Sequence, residues 1–123
     1  LSTIRDRMAE EMLVAALGDD DEQNVRLASR YLGILGVRGA VRALAEVARG
    51  DGRGNREMGP RVEAVEALGR IGDQAAVPVL EELARQRGIV RAGRSREVRT
   101  AAESALAVLA AAASRDTSGE VLP

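Results

Sequence analysis

Apolar residues in two stretches of the chain, 25–49 and 61–85, recur at alternating spacings of three and four, and the two stretches repeat one pattern 36 positions apart. In the later stretch Val62, Val65, Leu68, Ile71 and Gly72 share one helical face, and Val77, Leu80, Leu83 and Ala84 share a face of the next helix. The earlier stretch repeats the layout with Ala28, Leu32 and Leu35, a Gly36-Val37-Arg38-Gly39 turn, then Val41, Leu44, Val47 and Ala48. Ten of the 25 aligned positions are identical, among them Leu32/Leu68, Gly33/Gly69, Gly36/Gly72 and Leu44/Leu80. A fixed period of this size predicts stacked helix pairs.

Local signals place the boundaries. Gly72 suits the left-handed position that ends a helix, and Asp73 suits the N-cap of the next one. Pro78 falls about four residues past that cap and is expected to loosen the first turn. Gly33 and Gly69 lie inside helices, where each costs ~1 kcal/mol relative to Ala. Their recurrence at one place in the unit predicts close backbone approach by a neighbouring helix.

Half-units flank the pair. Ile4, Met8, Met12, Leu13, Ala16 and Leu17 predict an amphipathic helix ending at Gly18, before the acidic run Asp19-Asp20-Asp21-Glu22. Val98, Ala102, Ala105, Leu106, Leu109 and Ala113 predict a last helix, aligned with the second copy at an offset of 38. The expected organisation is a repeat domain over 1–113 (half-unit 3–18, units 22–49 and 60–87, half-unit 96–113) and a flexible tail over 114–123. The fold class is all-α: a right-handed α-solenoid of antiparallel helix pairs, about six helices, with no strand.

Composition narrows the chemistry. With no Phe, no Trp and one Tyr, the core is Leu, Val, Ile and Ala. Without cysteine there is neither disulfide nor thiolate ligand, which is compatible with a cytoplasmic location. Without histidine there is no side chain that ordinarily titrates near neutrality. No apolar run approaches the ~20 residues of a membrane span. The first residue is Leu1 rather than Met, which suggests a fragment or a processed chain. All 18 basic residues are Arg, the mark of a GC-rich coding bias.

The motif Leu-Gly-x-(Ile/Leu)-Gly followed by Ala-Val-x-x-Leu resembles HEAT repeats, specifically the short bacterial type also found in phycobilisome lyase subunits. Asn24-Val25-Arg26 and Glu97-Val98-Arg99 match that family's Val-Arg helix start, whereas the second copy reads Pro60-Arg61-Val62. The resemblance covers residues 4–113. It implies the fold and leaves function to the exposed residues, because HEAT arrays serve as scaffolds, adaptors, transport factors and a few enzymes. It also implies that the second helices of successive units line a concave face. That face would expose Arg42, Ala45, Glu46 and Arg49 from one unit and Glu81, Glu82 and Arg85 from the next, a mixed-charge surface suited to an unidentified protein partner.

The rival surface is an anion-binding edge. The inter-repeat loops 50–60 and 86–96 are long for such connections and bring together Arg53, Arg56, Arg87, Arg91, Arg94 and Arg96. Residues 85–99 carry six arginines against Glu97, a net of +5, and residues 1–22 a net of −5. Such an edge could hold an acidic or phosphate-bearing partner; the lack of Lys and of stacking aromatics argues against nucleic acid. The Gly50-x-Gly52-x-Gly54 run lacks the strand and spacing of a phosphate loop and reads as linker. Glu63, Glu66, Glu81 and Glu82 read as the wet faces of helices. Tyr31 is either a groove anchor or a filler beneath the N-terminal helix, and the open solenoid ends are candidates for weak self-association. No catalytic, cofactor or metal site is expected. The reading is a non-enzymatic protein-interaction module; a phycobilin-lyase-like subunit is the minor alternative.

Overall fold

The computed structural model describes residues 4–50, 58–85 and 92–121. These form six α-helices: α1 (Ile4–Ala16), α2 (Glu22–Leu35), α3 (Val41–Arg49), α4 (Met58–Ile71), α5 (Val77–Arg85) and α6 (Ala92–Val121). There is no strand among the described residues. The fold is an all-α solenoid in which α2–α3 and α4–α5 are the two predicted helix pairs.

The boundaries obey the local signals. The Asp21 side chain caps α2 by accepting from the Gln23 N–H at 2.9 Å, and Asp73 accepts from the Ala75 N–H at 2.9 Å. Each copy leaves its first helix through a left-handed glycine, Gly36 at φ 68° and Gly72 at φ 75°. A single 3-10 turn comes next, Arg38–Ala40 in one copy and Gln74–Ala76 in the other, before the second helix begins. Pro78 is the second residue of α5, where its missing N–H would have had no intrahelical partner.

The first helices α2, α4 and α6 pack side by side, while α3 lies against α4 and α5 against α6. The layer closes on two glycines. A methyl group at Gly33 would lie 2.8 Å from Ala67 Cα, and one at Gly69 would lie 3.1 Å from Ala105 Cβ. The backbone approach predicted from the two helical glycines is therefore present at both junctions. Leu32, Leu44, Leu68, Leu80, Leu83 and Leu109 fill the space between the layers, all fully buried.

Three expectations need correction. Ile4, Met8 and Met12 of α1 are exposed, and the helix is held by Leu13, Val14, Ala16 and Leu17. Leu35 is 60% exposed although its counterpart Ile71 is buried, because no first helix stands on the N-terminal side of α2 among the described residues. Residues 114–121 continue α6 and do not form an aperiodic tail; Ala110–Ala113 are strong helix formers that carry the backbone onward. The linker run after Gly50 and most of the loop after Arg85 lie outside the described residues.

Leu32→Ala and Leu68→Ala should each cost ~2–5 kcal/mol as large-to-small changes in a filled core, and a change below ~0.5 kcal/mol in urea unfolding would contradict the core assignment. Gly33→Ala should destabilise by ~1–3 kcal/mol through overpacking, against the ~1 kcal/mol gain that Gly→Ala brings in an open helix. Gly39→Ala, with nothing within 4 Å of the added methyl, is the control and should be neutral.

Candidate functional groove

Two surfaces of the stack carry hollows, one on each layer. On the second-helix layer, a hollow of about 500 Å³ opens between α3 and the start of α5, lined by Arg38, Arg42, Ala45, Glu46, Arg49 and Pro78 among others. This brings together the first four residues expected on that face. Ala45 is a correction, since it is buried and offers only an edge to the hollow. Arg49 turns to Glu82 of α5, its Nε donating to Oε2 at 3.1 Å, so these two charges answer each other. Glu81 and Arg85 are on α5 and do not line the hollow.

The first-helix layer carries more. One hollow of about 670 Å³ lies between α4 and α6, with Val62, Gly69, Ala101, Ala105 and Val108 as its apolar floor. A second, of about 510 Å³, lies between α2 and α4 and includes Arg26, Arg30 and Glu63. The two share Val62, Glu66, Arg70 and Glu97, and so form one groove across three helices. Its walls are charged: Arg26 and Arg30 on α2, Glu66 and Arg70 on α4, Arg96 and Glu97 on α6.

Helical spacing explains this placement. Arg26 and Arg30, and likewise Glu66 and Arg70, are four apart and stand one above the other. Gly69 keeps α4 close to Ala105, so the floor between the charged rows is made of small side chains. Glu63 is the exception to the wet-face expectation. It is buried, and its carboxylate accepts from Arg30 Nη2 at 3.1 Å across the α2–α4 junction.

Of the residues expected on an anion-binding edge, Arg53, Arg56, Arg87 and Arg91 lie outside the described residues, and Arg94 lies in the first turn of α6. Arg96 lines the groove beside Glu97. Sequence alone does not reveal the groove, because exposed charges on an amphipathic helix read as solvated; the four-residue pairing of charges on successive first helices is the available signal. Among the described residues no cluster of His, Cys, Asp or Glu could hold a metal ion, and no helix is long and apolar enough to cross a membrane.

Arg30→Ala would leave the Glu63 carboxylate buried without its partner. The cost should fall between the ~1 kcal/mol of an exposed pair and the ~3 kcal/mol of a buried one, because Arg30 itself is half exposed. Glu63→Leu in the Arg30→Ala background should recover most of it, since Leu27 fills the corresponding position in the first copy. A double-mutant cycle with no coupling would show that the pair contributes nothing.

Among known protein families, residues 60–86 match the model described as PBS lyase HEAT-like repeat. No curated protein and no solved structure matches the chain. The matched stretch is the α4–α5 pair, and α2–α3 repeats its sequence, its turn and its glycine contact. The match thus falls on one full unit, the α4–α5 pair, of a helical stack built by repetition.

Proposed function

We propose that this chain is a non-enzymatic protein-binding module whose first-helix groove receives a segment of the partner protein. The observation that carries the reading is the continuity of the two hollows through Val62, Glu66, Arg70 and Glu97. A groove with an apolar floor and walls of both signs suits a helix or extended segment that is itself amphipathic, with burial supplying affinity and the charges fixing orientation. The second-helix face of Arg42, Glu46, Glu81 and Arg85 is the competing surface. It is the weaker candidate on physical grounds, because its hollow is smaller and Arg49 and Glu82 are already paired.

A random peptide library selected on the immobilised protein, then fluorescence anisotropy of the selected peptides, separates the two. Glu66→Arg and Arg70→Glu should each weaken binding about tenfold, on the order of 1.4 kcal/mol, while Glu81→Arg and Arg85→Glu leave it unchanged. The reverse pattern would move the site to the second-helix face.

A further inference from the structure

The first and last helices of the described stack leave apolar side chains exposed. At an offset of 31, Leu13, Val14, Ala16 and Leu17 of α1 correspond to Leu44, Ala45, Val47 and Ala48 of α3, and they are the apolar residues of α1 and its end that pack on the core. By this alignment α1 is a second helix, and no first helix stands before it among the described residues. At an offset of 38, Ala105 of α6 takes the place of Ala67 in α4, each packing on a glycine of the preceding first helix. By the same logic α6 is a first helix, and no second helix comes after it among the described residues.

Both ends show the consequence. On α4, Ala67 and Ile71 are buried; the same positions on α2 are Tyr31 and Leu35, 51% and 60% exposed, with Leu27 and Ile34 beside them. Ile4, Met8 and Met12 add an exposed stripe on α1 at four-residue spacing. At the other end Leu68 is fully buried, whereas its counterpart Leu106 is only partly covered, and Ala107, Ala110 and Ala111 are exposed. A leading end with seven large apolar side chains open to water calls for a partner.

We propose that the partner is a second copy of this chain, stacked head to tail. The α6 of one copy lies beside α2 of the next, as α4 lies beside α2 and α6 beside α4 within the chain, and it also reaches the next copy's α1. One further step of the internal repeat generates the junction. Within the chain Gly33 meets Ala67 and Gly69 meets Ala105; the same step sets Ala107 against the next copy's Tyr31. Continuing in that register, Ala110 meets Ile34, Ala111 meets Leu35 and Thr100 meets Asn24. Large side chains thus fall on a flat row of alanines. Arg96 falls on the acidic run Asp19–Glu22, in keeping with the net +5 of residues 85–99 and net −5 of residues 1–22. Glu103 falls opposite Leu27, a mismatched pairing that holds the affinity down. Such a contact joins unlike faces and does not close, so it gives a growing series of oligomers.

Mass measured by light scattering or sedimentation across protein concentration tests this on the 123-residue chain. At low salt the mass should rise from that of one 13.0 kDa chain through successive multiples, and added salt should lower it at fixed concentration. Tyr31→Glu disables the leading end and Ala107→Arg the trailing end. Both side chains are exposed in the single chain, so circular dichroism should match the parent. Each variant alone should be monomeric, and an equimolar mixture should form a dimer and nothing larger, because one intact end remains on each partner. A parent that stays monomeric at every concentration would overturn the proposal. So would a mixture that stays monomeric, or an Ala107→Arg variant that still dimerises alone, which would mean that two leading ends pair symmetrically.

Discussion

The contact of a helical glycine with an alanine of the next first helix, Gly33 on Ala67 and Gly69 on Ala105, sets the spacing on which the rest of the stack depends. A glycine within a helix sacrifices ~1 kcal/mol of propensity, and the loss is recovered only if a neighbour occupies the space where the side chain would be. Dispersion rises steeply as atoms reach contact distance, so a chain with no Phe or Trp gains cohesion by bringing backbones together. The buried leucines then need to fill only the narrow space between the first-helix and second-helix layers.

The same spacing shapes the surfaces. Where α4 and α6 touch through Gly69 and Ala105, the floor between them is shallow and apolar, and the charges on either side are raised into walls. The second helices have no equivalent glycine contact; α3 and α5 stand apart across a hollow and are bridged by Arg49 and Glu82. With both of those side chains nearly half exposed, the bridge contributes little to stability. The firm layer of this molecule is the first-helix one, and it is also the layer with the longer groove.

The features legible in the sequence are those that local physics decides. Helix phase, the Gly36 and Gly72 exits, the Asp73 cap and the glycine approach all depend on residues within one turn or on their recurrence at 36 positions. The illegible features share a cause as well. Apolar periodicity records the face a helix can bury, but not whether a neighbour is present to bury it, so it places Ile4, Met8, Met12 and Leu35 in a core they do not join. It gives Glu63 to water because the partner, Arg30, is 33 residues away. The groove walls are hidden in the same way: Glu66 and Arg70 are ordinary on one helix and become a site only when a second helix is placed beside them.

Register is the remaining problem for a stack built from alanine. A helix such as α6, with its run of small side chains, could slide by a turn on α4 and lose little apolar contact. Polar groups make such a slip costly. The Arg61 side chain, which replaces the valine of the usual helix start, donates to the Ala48 carbonyl at 3.0 Å and lies against Gly50. This ties α4 to the end of α3. Gln74 donates to the Leu109 carbonyl at 3.1 Å and pins the turn before α5 to α6. Arg30 and Glu63 fix α4 on α2. Each bond adds only ~1 kcal/mol or less in the native register, but a shifted helix would leave a buried carboxylate without its arginine. The departures from the repeat pattern therefore act as its locks: apolar packing supplies the stack's cohesion, and these few polar contacts select one alignment from several of similar area.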